Sequence, residues 1–205
     1  MAKVQGENPK PGLSKGKKTG LAAAAFLAVI ALAAVGFKLS APERLSNYAK
    51  GTLATMKTPG HAGQVPPVQF MDADGKLMTI DDLKGRVVVM NLWATWCGPC
   101  KVEMPTLGKL QAHYPDKSGL LVAAVSVDKN DDLNLAKAEI AANAPLTLFR
   151  DPGYKLAFSL KPRAEGFPTT LIIDRQGRER ARMSGPADWN APEVRALLDR
   201  LLRES

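Results

Sequence analysis

Residues 87–105 read VVVMNLWATWCGPCKVEMP, and this stretch decides the fold. Val87, Val88, Val89, Met90, Leu92 and Trp93 form a nearly unbroken apolar run, the pattern of a strand buried on both faces of a sheet. Past Cys97 the period changes. Val102, Leu107 and Leu110 recur at helical spacing, and Pro105 is expected to kink that helix because its nitrogen has no hydrogen for the carbonyl of Lys101. The only two cysteines of the 205-residue chain, Cys97 and Cys100, stand three positions apart where strand gives way to helix. Open α/β sheets carry their chemistry at the carboxyl ends of strands. Cys97 is thus expected at a helix N-terminus, whose unpaired N–H groups and dipole stabilise a thiolate, the nucleophilic form of sulfur. Cys100, one turn deeper, is expected to be more buried. The asymmetry assigns roles: Cys97 attacks a substrate disulfide and Cys100 resolves the mixed disulfide.

Around the cysteines, Trp96-Cys97-Gly98-Pro99-Cys100 resembles the thioredoxin active site, and the whole stretch resembles the membrane-anchored TlpA/ResA-like thioredoxin family, TlpA most of all. Gly166-Phe167-Pro168-Thr169-Thr170 adds a second match, since thioredoxin-like folds carry a cis-proline opposite the cysteines, followed by a strand. The resemblance covers about two thirds of the chain, from Val68 to Arg203. It implies a protein-disulfide reductase of thioredoxin fold with a redox-active Cys97–Cys100 disulfide and no cofactor. It also implies supporting roles for Trp96, Gly98, Pro99 and Pro168, and a backbone at Phe167 that pairs with an incoming substrate strand. Glu103, three residues after Cys100, matches an acidic residue that ResA-like proteins use near the cysteines; a solvated helix glutamate is the alternative. Asn91 is a departure: thioredoxin has a titratable Asp six positions before the first cysteine, and Asn cannot relay a proton.

The formal net charge is +8, and half of it lies in the first 18 residues, where five lysines face one glutamate. The basic excess therefore does not point to nucleic acid. Residues 20–37, GLAAAAFLAVIALAAVGF, carry no charge over 18 positions, the lower limit for spanning a bilayer. Lysines crowd the side before this run and few follow it, which predicts a cytoplasmic N-terminus and an exported C-terminal domain. Ala31-Leu32-Ala33 also offers a signal-peptide cleavage site, but the run continues through Phe37, and an uncleaved anchor is expected. The predicted organisation is a cytoplasmic basic tail (1–19), a single transmembrane anchor (20–37), a tether (38–66) and a thioredoxin-like domain (67–205). Within the tether, Leu45, Tyr48, Ala49, Leu53 and Met56 suggest a short amphipathic helix.

The domain is α/β, with a central mixed sheet flanked by helices. It opens with a hairpin around Asp74-Gly75. Residues 120–127, LLVAAVSV, read as a second buried parallel strand. Asp131 or Asp132 is expected to cap a helix through Ile140, and Asp151-Pro152 to open a brief helix carrying Leu156 and Leu160. Thr169–Ile173 and residues 178–183 read as an antiparallel pair in which Arg178, Arg180 and Arg182 share a face, either as a charged sheet edge or as a dock for an acidic partner. Asn190 is expected to cap a last helix with a stripe from Val194 to Leu202.

Zinc wants four ligands, and the further candidates are His61 in the tether and His113 in the first helix, so a structural or half-metal reading of the cysteines is disfavoured. A peroxidase would need a lone cysteine in a Pro/Thr-rich loop. The remaining alternative is a thioredoxin-fold copper or metal chaperone. The favoured expectation is a monomeric, membrane-anchored periplasmic thiol:disulfide interchange protein. Its expected substrates are disulfides of apocytochrome c or of respiratory oxidase copper-site proteins, and its electrons would come from a transmembrane donor of the CcdA/DsbD type.

Overall fold

The computed structural model describes residues 44–59 and 63–204; the basic tail, the anchor expected at 20–37, and His61 lie outside the described residues. Among the described residues no helix is long and apolar enough to cross a membrane.

The apolar run at 87–93 forms β4 (Val87–Trp93), buried along its whole length. Ahead of it come β1 (Gly63–Gln64), β2 (Phe70–Met71) and β3 (Leu77–Met78). After it come α1 (Gly98–His113), β5 (Leu120–Ser126), α2 (Leu133–Ala142), β6 (Thr147–Arg150), α3 (Lys155–Ser159), β7 (Thr169–Ile173), β8 (Arg178–Ser184) and α4 (Pro192–Leu202). The sheet runs in the order β1-β8-β7-β4-β5-β6-β2-β3. β4 pairs parallel with β5 and antiparallel with β7. This is the mixed-sheet α/β thioredoxin fold that the sequence predicts, with the hairpin β2–β3 joined to β6 through Met71 and Arg150.

Period two along β4 builds two cores. Val87, Val89 and Trp93 enter the layer under α1 and α4, with Met104, Leu107, Leu197 and Leu198. Val88, Met90 and Leu92 enter the opposite layer, with Phe70, Ile80, Leu156 and Leu160. Asn91 shares parity with Val89 and Trp93, so a polar side chain faces α1 in an apolar layer. Helix α1 runs on through Pro105. It approaches the next loop so closely that a Cβ at Gly108 would stand 2.7 Å from the carbonyl oxygen of Asn143.

Several expectations need correction. From Arg44 onward the tether belongs to the folded unit. Leu45, Leu53 and Met56 are buried in the α1/α4 core, and two 3-10 turns (Leu45–Tyr48 and Gly51–Leu53) replace the expected amphipathic helix. Gly51 adopts φ +55, a left-handed conformation that favours glycine, and a Cβ there would displace the Glu193 carboxylate, whose Oε1 lies 1.9 Å from that position. The N–H of Thr52 donates to Glu193 Oε1 at 2.8 Å, and Thr52 Oγ1 accepts from the N–H of Asp188 at 2.7 Å. Glu193 is therefore committed to this strap, and Asn190 does not cap α4: the N-cap is Ala191, with Pro192 entering the first turn. Asn190 instead accepts from Arg195. Asp132 occupies the N-cap of α2 without a side-chain cap, because residues 130–132 form a 3-10 turn. Pro152 precedes α3 rather than opening it, and Asp151 accepts from the N–H groups of Lys155 and Leu156.

Strand β8 is also not an edge. β1 pairs with it, and Lys57 and Arg182 exchange backbone hydrogen bonds of 2.8 Å. Its arginines are paired within the domain: Arg178 with Asp174, Arg180 with Asp174 and Glu204, Arg182 with Glu179. The charged-edge reading therefore does not apply, and each arginine offered for docking already has an acidic partner within the domain.

Candidate functional site

The two cysteines form a disulfide at the carboxyl end of β4, with Cα atoms 5.3 Å apart. Cys97 is the N-cap of α1 in extended conformation, and its Sγ accepts from the N–H of Cys100 at 3.3 Å. The positive end of the helix thus points at Cys97 Sγ, and negative charge arising there on reduction is stabilised. Cys100 is fully buried and Cys97 nearly so. Gly98 and Pro99 make the first turn of the helix, where the missing N–H of proline goes unused in any case. The approach to the disulfide is held by Asp128, which sequence reasoning did not single out. Its carboxylate accepts from the N–H and hydroxyl of Thr95 and from the hydroxyl of Ser126. Trp96 stands out from this clamped turn with 61% of its surface exposed.

Phe167-Pro168 is cis, as the resemblance implies, and so are Ala144-Pro145 and Lys161-Pro162. Pro168 is buried, and its carbonyl accepts from the N–H of Gly185. β7 starts at the next residue, with Thr169 opposite Leu92 of β4. Pro168 therefore lies at the end of the sheet from which Cys97 emerges. Phe167 meets Trp96 edge to face, with ring centroids 6.0 Å apart.

Beneath the disulfide is a buried polar cluster. Glu103 is only 1% exposed, because helical spacing turns it, with Cys100, onto the sheet side of α1. Oε1 accepts from Asn91 Nδ2 at 2.6 Å, and Oε2 accepts from the N–H of Ala187 at 3.0 Å and from Trp189 Nε1 at 2.9 Å. Asn91 Nδ2 also donates to Thr170 Oγ1 at 2.8 Å, across the β4–β7 register pair. Burial pushes the Glu103 carboxyl up to about 7, against the opposing pull of its donors Trp189, Ala187 and Asn91. The solvated-glutamate reading of Glu103 is thereby overturned. Asn91 is no relay, but it holds a titratable group that comes from the helix instead of the strand. Trp189, Ala187 and Thr170 were not legible as site residues; the sequence signal available was a polar Asn inside an apolar strand, which demands a buried partner.

Among the described residues, no three His, Cys, Asp or Glu side chains group as metal ligands. His113 sits at the far end of α1 against Tyr114.

The sequence profile of the AhpC/TSA family matches residues 62–181. Among relatives, the thiol-disulfide oxidoreductase ResA of Bacillus cereus is 30% identical over 166 residues, spanning 79% of this chain and 86% of that protein. The thioredoxin-like protein YneN of Bacillus subtilis is 35% identical over 123 residues, 56% of this chain and just under two thirds (65%) of that protein. A crystal structure from Chlorobium tepidum described as a thiol:disulfide interchange protein DsbE superposes with TM-score 0.59 at 27% identity, covering 69% of this chain and 96% of that one. A DsbF homologue from Corynebacterium diphtheriae shares the fold with TM-score 0.60 at 24% identity, over 72% of this chain and 93% of that one. The chain therefore belongs to the AhpC/TSA family, and on its thioredoxin-like fold it carries the Cys97–Cys100 disulfide of a thiol-disulfide oxidoreductase similar to ResA.

Proposed function

We propose that the protein is a membrane-anchored thiol:disulfide interchange protein whose folded domain, on the periplasmic side of the inner membrane, reduces disulfides of other proteins. The observation that carries the reading is a disulfide at the N-terminus of α1 with a buried carboxyl, titrating near neutrality, on the same helix. In the dithiol form, the Cys97 thiolate attacks one sulfur of a substrate disulfide. A Cys97–substrate S–S bond forms, the substrate S–S bond breaks, and one substrate thiolate leaves. The Cys100 thiol then gives its proton to the Glu103 carboxylate, and its sulfur attacks Cys97. The second substrate thiolate leaves, the Cys97–Cys100 disulfide is restored, and two electrons have passed to the substrate. A carboxyl near pH 7 suits this role because it can both take and return the proton at working pH.

The uncharged run at residues 20–37, with lysines before it, supports the anchor and the exported domain. The resemblance to TlpA- and ResA-like proteins supports cysteines of apocytochrome c or of copper-site proteins as substrates. It also supports re-reduction by a transmembrane donor of the CcdA/DsbD type, because an exported dithiol left alone drifts to the disulfide. The direct test is substrate trapping with Cys100→Ala in cells, which halts the cycle at the mixed disulfide. Identified partners rich in apocytochromes or copper-site proteins support the reading, and absence of any Cys97-linked protein overturns it. Alkaline carbonate extraction checks the anchor: the full chain is expected to stay in the membrane with Met1 to Lys18 retained, and a mature N-terminus near Ala34 would show a cleaved signal peptide.

A further inference from the structure

An unbroken file of aromatic rings leads away from the redox centre. Exposed Trp96 meets Phe167 at 6.0 Å, Phe167 meets Tyr154 at 6.1 Å, and Tyr154 stacks on Phe158 at 5.9 Å. Phe158 is 59% exposed, and the fold has no need of it there: Leu156, Ala157 and Leu160 anchor α3 to the core. Tyr154 adopts φ 56, ψ 19, a left-handed conformation uncommon for a bulky residue. Three contacts to Asp151 hold that turn. The Asp151 carbonyl accepts from the N–H of Tyr154, and its carboxylate accepts from those of Lys155 and Leu156. The strained turn places the Tyr154 ring between Phe167 and Phe158.

The charged residues of the segment that carries Tyr154 and Phe158, residues 154–164, have one sign. Lys155, Lys161 and Arg163 are exposed and form no ion pair among the described residues. The acid on the same stretch, Glu165, is paired with Lys57 at 3.5 Å. On the other flank of Trp96, Lys101 stands with Asp132 and Glu139, and the signs are mixed.

We propose that the file from Trp96 to Phe158 is the specificity surface for the protein substrate, and that it takes an acidic segment bearing an apolar or aromatic side chain next to the reactive cystine. The inference rests on the oxidoreductase reading above, because it is the substrate disulfide delivered to Cys97 that brings the flanking segment onto the rings. Three ring-to-ring steps of 5.9 to 6.1 Å set the reach. At about 3.4 Å per extended residue, the apolar side chain that covers Phe158 lies roughly five residues from the substrate cysteine. Aromatic anchors supply the contact, and the unpaired cations supply sign selection and encounter rate.

The test uses the full-length protein, reduced, with short synthetic peptides carrying a cysteine as its mixed disulfide with glutathione. One peptide has Phe five residues from the cysteine between aspartates; a second replaces the aspartates by lysines; a third replaces the Phe by Ser. Bis(2-hydroxyethyl) disulfide serves as a small, uncharged, non-aromatic disulfide without flanking chain. The acidic Phe peptide is expected to react about tenfold faster than either other peptide, with an advantage over the lysine peptide that shrinks as salt rises. Phe158→Ser and the double variant Lys161→Glu/Arg163→Glu are each expected to remove most of that advantage while leaving reduction of bis(2-hydroxyethyl) disulfide unchanged. Equal rates for all three peptides, or variants that slow every substrate alike, would overturn the specificity surface while leaving the oxidoreductase reading intact. Failure of the wild type to reduce bis(2-hydroxyethyl) disulfide as well as every peptide would overturn both.

Discussion

Asn91 on the central strand donates to Glu103 on the helix of the cysteines at 2.6 Å, inside the core layer between the sheet and α1. The same Nδ2 serves Thr170, while Asn91 Oδ1 has no hydrogen-bond partner among the described residues. With Glu103 ionised this is the favourable arrangement, since the amide N–H groups face the carboxylate oxygen. With Glu103 protonated, a half-turn of the amide lets Oδ1 accept from the Glu103 and Thr170 hydroxyls. The pair can therefore accommodate both protonation states without a change of backbone.

Glu103→Gln is expected to lower disulfide reduction ten- to a hundredfold at pH 7 and to flatten its pH dependence between about pH 6 and 8. Stability supplies the independent readout. The folded-state carboxyl titrates at about 7 against an ordinary value of 4.5, so the folded form holds its proton more tightly. The stability that this proton contributes is fully present below pH 4.5 and is lost as pH rises through 7. The loss is on the order of 3 kcal/mol from the linkage of about 1.4 kcal/mol per pKa unit. The glutamine variant should lose that slope in denaturant titrations across the range. An unchanged slope would move the titration away from Glu103.

In the reduced protein, iodoacetamide is expected to modify Cys97 before Cys100, because Cys97 caps the helix and Cys100 is fully buried. Peptide mapping after a short pulse reads the order directly. Cys97→Ser should abolish disulfide reduction, and Cys100→Ser should retain attack but accumulate mixed disulfides. Faster labelling of Cys100 at neutral pH would reverse the assignment.

The strap at residues 44–59 is expected to be part of the stability unit. Leu53→Ala removes a fully buried side chain and should cost about 2 to 4 kcal/mol in urea unfolding. Thr52→Val removes the hydroxyl that accepts from Asp188 and should cost about 1 kcal/mol. A chain starting at Arg44 should unfold like the full protein, while one starting at Val65 should unfold at markedly lower denaturant.

Gly108→Ala is expected to destabilise by about 1 to 3 kcal/mol, although alanine is the better helix former by about 1 kcal/mol. The added Cβ would stand 2.7 Å from the Asn143 carbonyl oxygen, and a backbone atom has little room to yield. Thermal unfolding decides the sign; a stabilised variant would mean that the loop moves freely away from α1.

The local elements were legible because their causes are local. A nearly unbroken apolar run read as β4, a cysteine pair after a strand read as the head of α1, and a stripe from Val194 to Leu202 read as α4. The redox pair was legible from the motif and its spacing, and the cis-proline at 168 followed from the family resemblance. Partnership across the chain was decided by the tertiary structure. Glu103 became a buried group titrating near neutrality only once Ala187 and Trp189, more than 80 residues downstream, closed over it. The stretch read as a tether became core because α4 presents an apolar groove and Glu193 to it. Arg178, Arg180 and Arg182 looked like a free charged face until Asp174, Glu179 and Glu204 folded against them. Period and propensity record which face of an element is buried, whereas desolvation and pairing depend on what arrives from elsewhere to cover it.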